Sequence, residues 1–451
     1  MKWDIDLKTL HKVRAGIKFK RQIQDERLLW IASALLFAFA ISYLAPVAQN
    51  LGRSRQSYPA SVCAPKISDG SSNAYLAKNN LKIRSIPSQK NRFITASSAI
   101  QNMGTSALLI DGNPGTSFVV SNSNGGLAAA TCLSGAADQW FVGGSGGLTS
   151  KDALHIVNSG LSTATVDIYA YGKVAMPPLS LKIKANSDRP VFIDALVPGE
   201  DAVAVHVATR SGRVTTFLYD QRKKGLSSLG SDFVSSTNNP ATHLVIPTVL
   251  QSSSGKVATS IRLLVPGSLD ATMRVTVKSG DGDFTPVGFD DRTIKHGVVT
   301  DIALPDLTSS TPMAFVIDSD QPLVAAVLTQ MKGGDFAWAS ASQNLDKLSM
   351  NFTGLSPKFV FVGNSISVAI SWKDSAGRSH RGKVNGEGIA FWNPGTGGIR
   401  TISLDADVKK SIVGGVILRN NYQIAYLPLV PSAILETSSL PIADTHALAR
   451  G

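Results

Sequence analysis

Two stretches of the chain decide its fold: LHIVNSGLSTATVDIYAY at 154–171 and IRLLVPGSLDATMRVTVK at 261–278. They align at an offset of 107 residues, which places Gly160 over Gly267. Apolar and polar residues alternate on both sides of each glycine, and such alternation is typical of half-buried strands. We therefore predict a repeated strand–turn–strand unit, in which the glycine provides a backbone conformation that a Cβ would obstruct.

The repeat extends beyond these two stretches. The same offset pairs Asp194 with Asp301, and an offset of 110 pairs Leu218 with Leu328. A third, weaker unit runs from 336 to 430. Units of this size match immunoglobulin-like sandwiches. The predicted fold class is mainly β, with tandem Ig-like β-sandwich domains after a single N-terminal transmembrane helix.

The transmembrane prediction rests on an uncharged run, LLWIASALLFAFAISYLA at 28–45. About 20 apolar residues span the ~30 Å hydrocarbon core of a bilayer. Trp30 and Tyr43 lie near the two ends, where amphipathic rings prefer the interface. The alternative is a cleaved signal peptide, but Pro46 lies where a small residue should precede the cleavage site. We therefore predict an uncleaved helix over 28–48.

The charge around this run indicates its orientation. The tail at 1–27 carries eight basic and four acidic side chains, and only Arg53 and Arg55 follow closely after the run. The excess of basic residues places the N-terminus in the cytoplasm. The expected location is therefore the plasma membrane, crossed once, with the rest of the chain outside the cytoplasm.

The net charge of +12, with a pI of about 9.6, raises the question of nucleic acid. Four of these charges lie in the tail, and the others are spread over the chain without a basic stripe. This argues against nucleic-acid binding. The expected partners are membrane lipids, through Leu28–Ala48 and the basic tail, and envelope polymers or envelope proteins.

Changes in composition along the chain suggest seven segments. They are a cytoplasmic tail (1–27), a transmembrane helix (28–48), a linker (49–91), a first β-sandwich unit with preceding strands (92–225), a second unit (240–334), a third unit (335–432) and a polar tail (433–451).

The two cysteines, Cys63 and Cys132, both follow the predicted span. The space outside the cytoplasm permits disulfides, so a bridge between them is the favoured interpretation. The alternative is a pair of small, buried, unpaired side chains.

Two acidic or nucleophilic patterns could carry chemistry. Residues 143–147 read Gly-Gly-Ser-Gly-Gly and match the G-x-S-x-G nucleophile elbow. That elbow needs a following helix, but a strand pattern follows here, so we interpret the segment as a turn. Asp281–Asp283 with Asp290 and Asp291 could hold calcium, but they lack the EF-hand order and read better as a hairpin turn.

The histidines and tryptophans give little support for a site. The histidines beyond the span are scattered singly, which does not support zinc; they are His155, His206, His243, His296, His380 and His446. Trp338, Trp372 and Trp392 could form a sugar-stacking platform, although core packing is commoner for tryptophan. We assign no catalytic, cofactor-binding or metal-binding residue.

Several motifs together resemble a known family. They are Cys63 with Pro65, Cys132 before Trp-Phe-Val-Gly-Gly at 140–144, and Asp-Phe-Ala-Trp at 335–338. With the anchor and the repeats, they make the chain similar to DUF5719, an uncharacterised family of actinobacterial membrane-anchored proteins. The resemblance covers about residues 60–435. It implies an actinobacterial cell-envelope protein and no activity.

These observations favour a non-enzymatic single-pass envelope protein with a β-sandwich ectodomain. Its role would be structural or adhesive, or the binding of envelope polymers or proteins. Two other classes stay open. One is an envelope enzyme, hydrolase-like, whose site assembles only in three dimensions; the other is a transmembrane regulator that uses the 27-residue tail.

Overall fold

We describe the fold from a computed structural model of the full chain. The described residues are 30–31, 33–34, 53–55, 60–67, 69–88, 91–112, 115–123, 126–237, 239–249, 257–304, 312–331, 334–420, 423–430 and 437–439. The chain divides into two units, one formed by 1–57 with 436–451 and the other by 58–435.

The first unit contains one short antiparallel strand pair, β1 (Arg53–Arg55) with β32 (Thr437–Ser439). Trp30, Ile31, Ser33 and Ala34 are helical. The predicted tail at 1–27 and the remainder of the predicted span lie outside the described residues. Within the part of the chain that is described, no helix is long and apolar enough to cross a membrane.

The second unit is built from four β-modules. Module 1 is residues 60–133, with β2 Ser61–Cys63, β3 Ser71–Tyr75, β4 Lys82–Ile86, β5 Ile94–Thr95, β6 Ile100–Asn102, β7 Ala107–Asp111, β8 Phe118–Ser123 and β9 Gly126–Thr131. Its two antiparallel sheets have the strand orders β2-β7-β4-β5 and β6-β3-β8-β9.

Module 2 is residues 138–235 and again pairs two four-stranded sheets. It contains β10 Asp138–Val142, β11 Ala153–Asn158, β12 Ala164–Tyr171, β13 Leu179–Ile183, β14 Ser187–Phe192, a short helix Ile193–Leu196, β15 Ala204–Ser211, β16 Val214–Lys224 and β17 Ser227–Val234. The strand orders are β10-β15-β12-β13 and β14-β11-β16-β17.

Module 3 is residues 241–340. Its strands are β18 Ala241–Val249, β19 Val257–Leu264, β20 Ala271–Ser279, β21 Gly282–Phe284, β22 Arg292–Ile294, β23 Thr300–Ala303, β24 Met313–Met331 and β25 Phe336–Ser340. The first half of β24 pairs with β18 and β20, and its second half pairs with β19 and β25. One long strand therefore joins the two halves of the module.

Module 4 is residues 347–430. It contains β26 Lys347–Asn351, β27 Lys358–Lys373, β28 Ser379–Trp392, a 3-10 turn Gly395–Gly397, β29 Thr401–Ala406, a second 3-10 turn Val408–Lys410, β30 Val413–Asn420 and β31 Gln423–Pro428. The long strand β27 pairs with β30 near its start and with β29 near its end.

The chain is mainly β with several sheets, as predicted. The 107-residue offset holds for the two strands around the glycine turn, because β11 and β12 of module 2 occupy the places of β19 and β20 in module 3. It is wrong for Asp194 and Asp301: His155 lies opposite Pro190 and its equivalent Arg262 lies opposite Asp301, so Asp301 corresponds to Pro190. The offset of 110 is wrong by one residue. Leu154 lies opposite Leu218 and its equivalent Ile261 lies opposite Val327, so Val327 rather than Leu328 corresponds to Leu218. Because side chains alternate between the two faces of a strand, an error of one residue assigns every side chain of this strand to the wrong face.

Two further expectations are wrong. Neither Gly160 nor Gly267 has a positive φ, and no atom lies within 4 Å of a Cβ placed on Gly267, so this glycine is not required by its backbone. Residues 60–91 belong to the predicted linker, yet they carry β2, β3 and β4 of module 1. Their Ser- and Asn-rich sequence concealed strands that are too short for a clear alternation.

The four modules form a closed ring through their apolar faces. The core of module 4 includes Phe118 and Leu127 of module 1, and the core of module 3 includes Ile417 and Tyr426 of module 4. In turn, the core of module 2 includes Trp338 and other residues of module 3. Phe217, Tyr219 and Phe233 of module 2 close the ring by packing on module 1.

Candidate functional site

One edge strand from each module lies at the middle of the ring. These inner strands are β9, β17, β25 and β31, and each contacts the inner strand of both neighbouring modules. Each ends its own sheet, so its outward-facing amides lack a ladder partner. An unpaired edge is a liability that folded proteins cap or cover. Buried aspartates accept hydrogen bonds from these edge amides and so cap the inner strands.

Asp335, which immediately precedes β25, binds all three other inner strands. Its Oδ2 accepts hydrogen bonds from the backbone N of Leu127 at 2.6 Å and of Ile424 at 3.3 Å. Its Oδ1 accepts from the backbone N of Ser231 at 3.1 Å. One carboxylate therefore connects module 3 to modules 1, 2 and 4.

Two glycines make room for this carboxylate. A Cβ on Gly126 would lie 2.4 Å from Asp335 Oδ1, and a Cβ on Gly230 would lie 2.7 Å from it. Real Cβ atoms do not approach so closely. Gly230 also has φ +108, which side chains with a Cβ rarely adopt. The backbone of both strands can therefore reach the carboxylate only without side chains at these positions.

Asp232 forms a second connection deeper in the ring. Its Oδ1 accepts from the backbone N of Ala129 at 3.3 Å, and its Oδ2 accepts from the backbone N of Trp338 at 2.9 Å. Asp232 thus joins its own strand, β17, to β9 and β25. We refer to Asp232 and Asp335 together as the axial aspartates.

Trp338 contacts two arginines beside the axial aspartates. Its indole Nε1 donates to Asp220 Oδ2 at 2.8 Å, and Asp220 in turn accepts two hydrogen bonds from Arg222. The Arg222 and Arg262 guanidiniums lie 5.8 and 4.8 Å from its ring centroid. Such cation–π contacts gain strength when water is excluded.

Arg262 connects module 3 to module 2. Its guanidinium makes a bidentate ion pair with Asp301, at 2.6 and 2.7 Å. It also donates to the backbone carbonyls of Gly144, Asp201 and Val203 in module 2. The Arg262 side chain is 3% exposed and the Asp301 side chain is 37% exposed, so the guanidinium is shielded from solvent and the carboxylate is partly hydrated.

Burial controls the protonation of these acids. Burial raises the pKa of Asp335 to about 6, even though backbone hydrogen bonds favour the charged form. Burial likewise raises the pKa of Asp232 well above its usual range. The pKa of Asp152 is raised by burial and then by the nearby Asp220 carboxylate. These carboxyls bind backbone amides inside the ring, which is a structural arrangement.

The raised pKa of Asp335 predicts a pH dependence of stability. Its folded-state pKa of about 6 exceeds the ordinary aspartate value of 3.8, so the folded state binds more protons between these pH values. The free energy of unfolding should then fall by roughly 3 kcal/mol as the pH rises through this window. Chemical denaturation of the wild type and of Asp335→Asn between pH 4 and 7.5 measures the difference. A difference that does not change with pH would contradict the assignment.

A polar cleft lies where modules 1 and 4 separate. The face of module 1 that packs on module 4 is apolar at Tyr75, Phe118 and Val120, and it becomes polar further along the same strands. The cleft has a volume of about 370 Å³. Its polar lining residues are Ser71, Asn73, Asn122, Ser356, Arg419 and Asn420.

A hydrogen bond between the modules lies beside this cleft. Gln423 Nε2 donates to the carbonyl of Ser123, the neighbour of Asn122, at 3.0 Å. The side-chain amides of Asn73, Asn122 and Asn420 make no hydrogen bond to any described residue. The cleft is therefore preformed and presents unused donors and acceptors.

The Gly143–Gly147 segment is a buried loop. Ser145 N donates to Asp152 Oδ2 at 2.6 Å, and the Ser145 hydroxyl accepts from Gly147 N at 3.0 Å. The next element is β11, a strand, as the turn interpretation requires. No histidine bonds to this serine among the residues that the structure describes.

Five of the histidines make separate pairs with aspartates. The pairs are His155–Asp188, His206–Asp138, His243–Asp318, His296–Asp270 and His380–Asp374. His446 lies outside the described residues. No group of three potential metal ligands occurs in the described ranges.

The acidic turn at 281–291 forms ion pairs. Asp283 contacts Lys278, and Asp290 contacts Arg274 at 2.5 Å. Ser279 pairs with Gly282 across a tight hairpin between β20 and β21, which confirms the hairpin interpretation.

The three tryptophans do not come together. Trp338 is fully buried beside module 2, whereas Trp372 and Trp392 pack at the edge of the module 4 core. The latter two contact each other edge to face, with centroids 5.1 Å apart. A platform of all three is therefore wrong.

Cys63 and Cys132 are joined by a disulfide in the structure, between β2 and the end of β9. Both residues are buried in the core of module 1. We expect the native protein to incorporate no thiol-specific label, and to incorporate two labels per chain after unfolding and reduction. Intact-mass spectrometry measures this number. Two labels without reductant would show that the cysteines are free.

The model of a family of unknown function, DUF5719, matches residues 111–383, which is more than half of the chain. The chain belongs to the DUF5719 family. The match runs from the end of β7 in module 1 into β28 of module 4, so it includes the axial aspartates, Trp338 and Arg262.

No curated protein is significantly similar to the chain. One solved structure with some similarity is described as "Crystal structure of tetra-tandem repeat in extending region of large adhesion protein". It shares 12% sequence identity over 82% of this chain and 98% of that chain, with a TM-score of 0.10. A TM-score this low carries no argument about fold or function.

Proposed function

We propose that this DUF5719 protein is a non-enzymatic, single-pass protein of the cell envelope. In this proposal residues 28–48 cross the plasma membrane, the basic tail lies in the cytoplasm, and the ring of modules lies outside. The ring is a rigid scaffold that binds envelope polymers or envelope proteins.

The observation that carries this proposal is that the buried carboxyls hold the modules together. The carboxyls with raised pKa are the first candidates for acid–base catalysis in a protein of unknown function. Here Asp335 and Asp232 instead accept hydrogen bonds from backbone amides of neighbouring modules. Their chemistry supports a scaffold better than a hydrolase.

The membrane part of the proposal is supported by the sequence. The uncharged run at 28–45 is long enough to span a bilayer, and the basic tail precedes it. In intact cells, protease should remove a C-terminal tag and spare an N-terminal tag. Recovery of the full chain from the soluble fraction, or protection of the C-terminal tag, would overturn this topology.

The binding part is tested with full-length protein in a polyoxyethylene detergent. We expect the protein to co-sediment with insoluble envelope polymer prepared from the source cells. Heat-unfolded protein is the control for non-specific adsorption. Failure of the folded protein to co-sediment, together with an envelope unchanged by deletion of the gene, would remove the support for a binding scaffold.

A further inference from the structure

We infer that the cleft between modules 1 and 4 is a binding site for a short segment of a neutral oligosaccharide. This inference rests on the proposed function and names the ligand class of the scaffold. The cleft consists of Asn73 and Asn122 from module 1, facing Ser356 and Asn420 from module 4.

One face of the module 1 sheet changes from apolar to polar along its strands. On β3, side chains of this face alternate as Ser71, Asn73 and Tyr75, and on β8 the last of them is Asn122. The apolar members, including Tyr75, pack in the core shared with module 4. A packing surface would gain from further apolar residues. The serine and asparagines instead begin where the two modules separate.

The side chains that line the cleft match the hydrogen-bonding groups of a sugar. Each asparagine amide offers both donors and an acceptor, as sugar hydroxyls do. Asn73 is half-buried, and Asn122 and Asn420 are exposed, and none of them bonds to another described residue. Amides that are not used to hold the fold are available for a ligand.

The charge of the lining argues against a metal ion and against a polyanion. Among the described residues that line the cleft, Arg419 is the one charged side chain, and no carboxylate is present. A metal ion would need oxygen ligands with negative charge, and a phosphate-rich polymer would need several cations. A chain of neutral sugars requires neither.

The size and rigidity of the cleft limit the length of the ligand. Its volume of about 370 Å³ lies near the lower end of the ~300–1,000 Å³ range of small-molecule sites. The inter-module hydrogen bond from Gln423 to the Ser123 carbonyl, beside Asn122, fixes this part of the wall before any ligand arrives. Such preorganisation lowers the ordering cost of binding.

The test uses full-length protein in a polyoxyethylene detergent, because glycoside detergents would compete. Calorimetry is performed with cellotetraose and tetra-N-acetylchitotetraose as neutral probes and tetragalacturonate as an anionic probe. We expect at least one neutral probe to bind, and the double variant Asn73→Ala/Asn122→Ala to bind it at least tenfold more weakly. Thermal unfolding of the double variant should match that of the wild type, since these amides make no contacts that hold the fold.

Asn385→Ala is the matched control, because Asn385 is an exposed asparagine on β28 of module 4. It should bind the neutral probe as the wild type does. Binding of tetragalacturonate alone, binding of no probe, or wild-type affinity in the double variant would overturn the inference. If the double variant still co-sediments with envelope polymer, the proposed function is supported, and only the assignment of the cleft as the binding site is wrong.

Discussion

Replacing Asp335 with alanine should lower the free energy of unfolding at pH 7 by about 4 kcal/mol. The substitution leaves three backbone amides, of Leu127, Ser231 and Ile424, without an acceptor inside the ring. Each buried unsatisfied amide costs about 1–3 kcal/mol. Relief of the burial cost of the carboxylate offsets part of the sum.

Chemical denaturation at fixed pH measures this change. Asp290→Ala is the control, because Asp290 forms an exposed ion pair with Arg274. Exposed pairs contribute about 0–1 kcal/mol, so the control should scarcely change stability. Equal losses in the two variants would mean that Asp335 does not connect the modules.

The second large effect is expected at Arg262. Arg262→Ala removes the bidentate partner of Asp301 and the donor to three backbone carbonyls of module 2. Each buried carbonyl that is left without its donor costs about 1–3 kcal/mol, whereas the Asp301 carboxylate, which is 37% exposed, stays partly hydrated. We expect a loss of about 4 kcal/mol in the free energy of unfolding, since the cation–π contact with Trp338 is also lost.

Two variants make this prediction specific. Arg262→Lys should recover little stability, because an ammonium cannot reproduce the planar, bidentate contact or the stacking. Arg274→Ala removes an exposed arginine from its ion pair with Asp290 and should cost less than about 1 kcal/mol. Full recovery with lysine would show that charge alone, without the guanidinium geometry, holds modules 2 and 3 together.

The sequence predicts the strands better than it predicts their assembly. Alternation at 154–171 and 261–278 identifies β11, β12, β19 and β20 because each of these strands has one face in its own core. The second half of β24 has no such alternation. Leu323 and Val327 face the core of module 3, and Val324 and Leu328 face module 2, so both faces are apolar.

The ring itself could not be predicted from local patterns. Inner strands such as β9 are buried on both sides, with Leu127 facing module 4 and Ala128 facing the interface of modules 1 and 2. Which strands meet depends on contacts between residues that are far apart in the chain. The repeat revealed two of the modules, and the short strands of module 1 were hidden in an apparent linker.

The axial aspartates have a signal in the sequence that belongs to no motif. Asp232 lies in Ser-Asp-Phe-Val at 231–234, and Asp335 precedes Phe-Ala-Trp at 336–338. A single charge within or directly before a buried apolar strand requires a partner. The sequence indicates that requirement, but it does not show that the partners are backbone amides of other modules.

The most direct test of the closed ring is hydrogen exchange at the backbone amides of Leu127, Ser231 and Ile424. These amides belong to modules 1, 2 and 4 and share the Asp335 carboxylate. We expect all three to be protected in the wild type and to lose protection together in Asp335→Ala, under conditions in which the variant is still folded. Loss of protection confined to the neighbours of residue 335 in module 3 would contradict a ring held by this carboxylate.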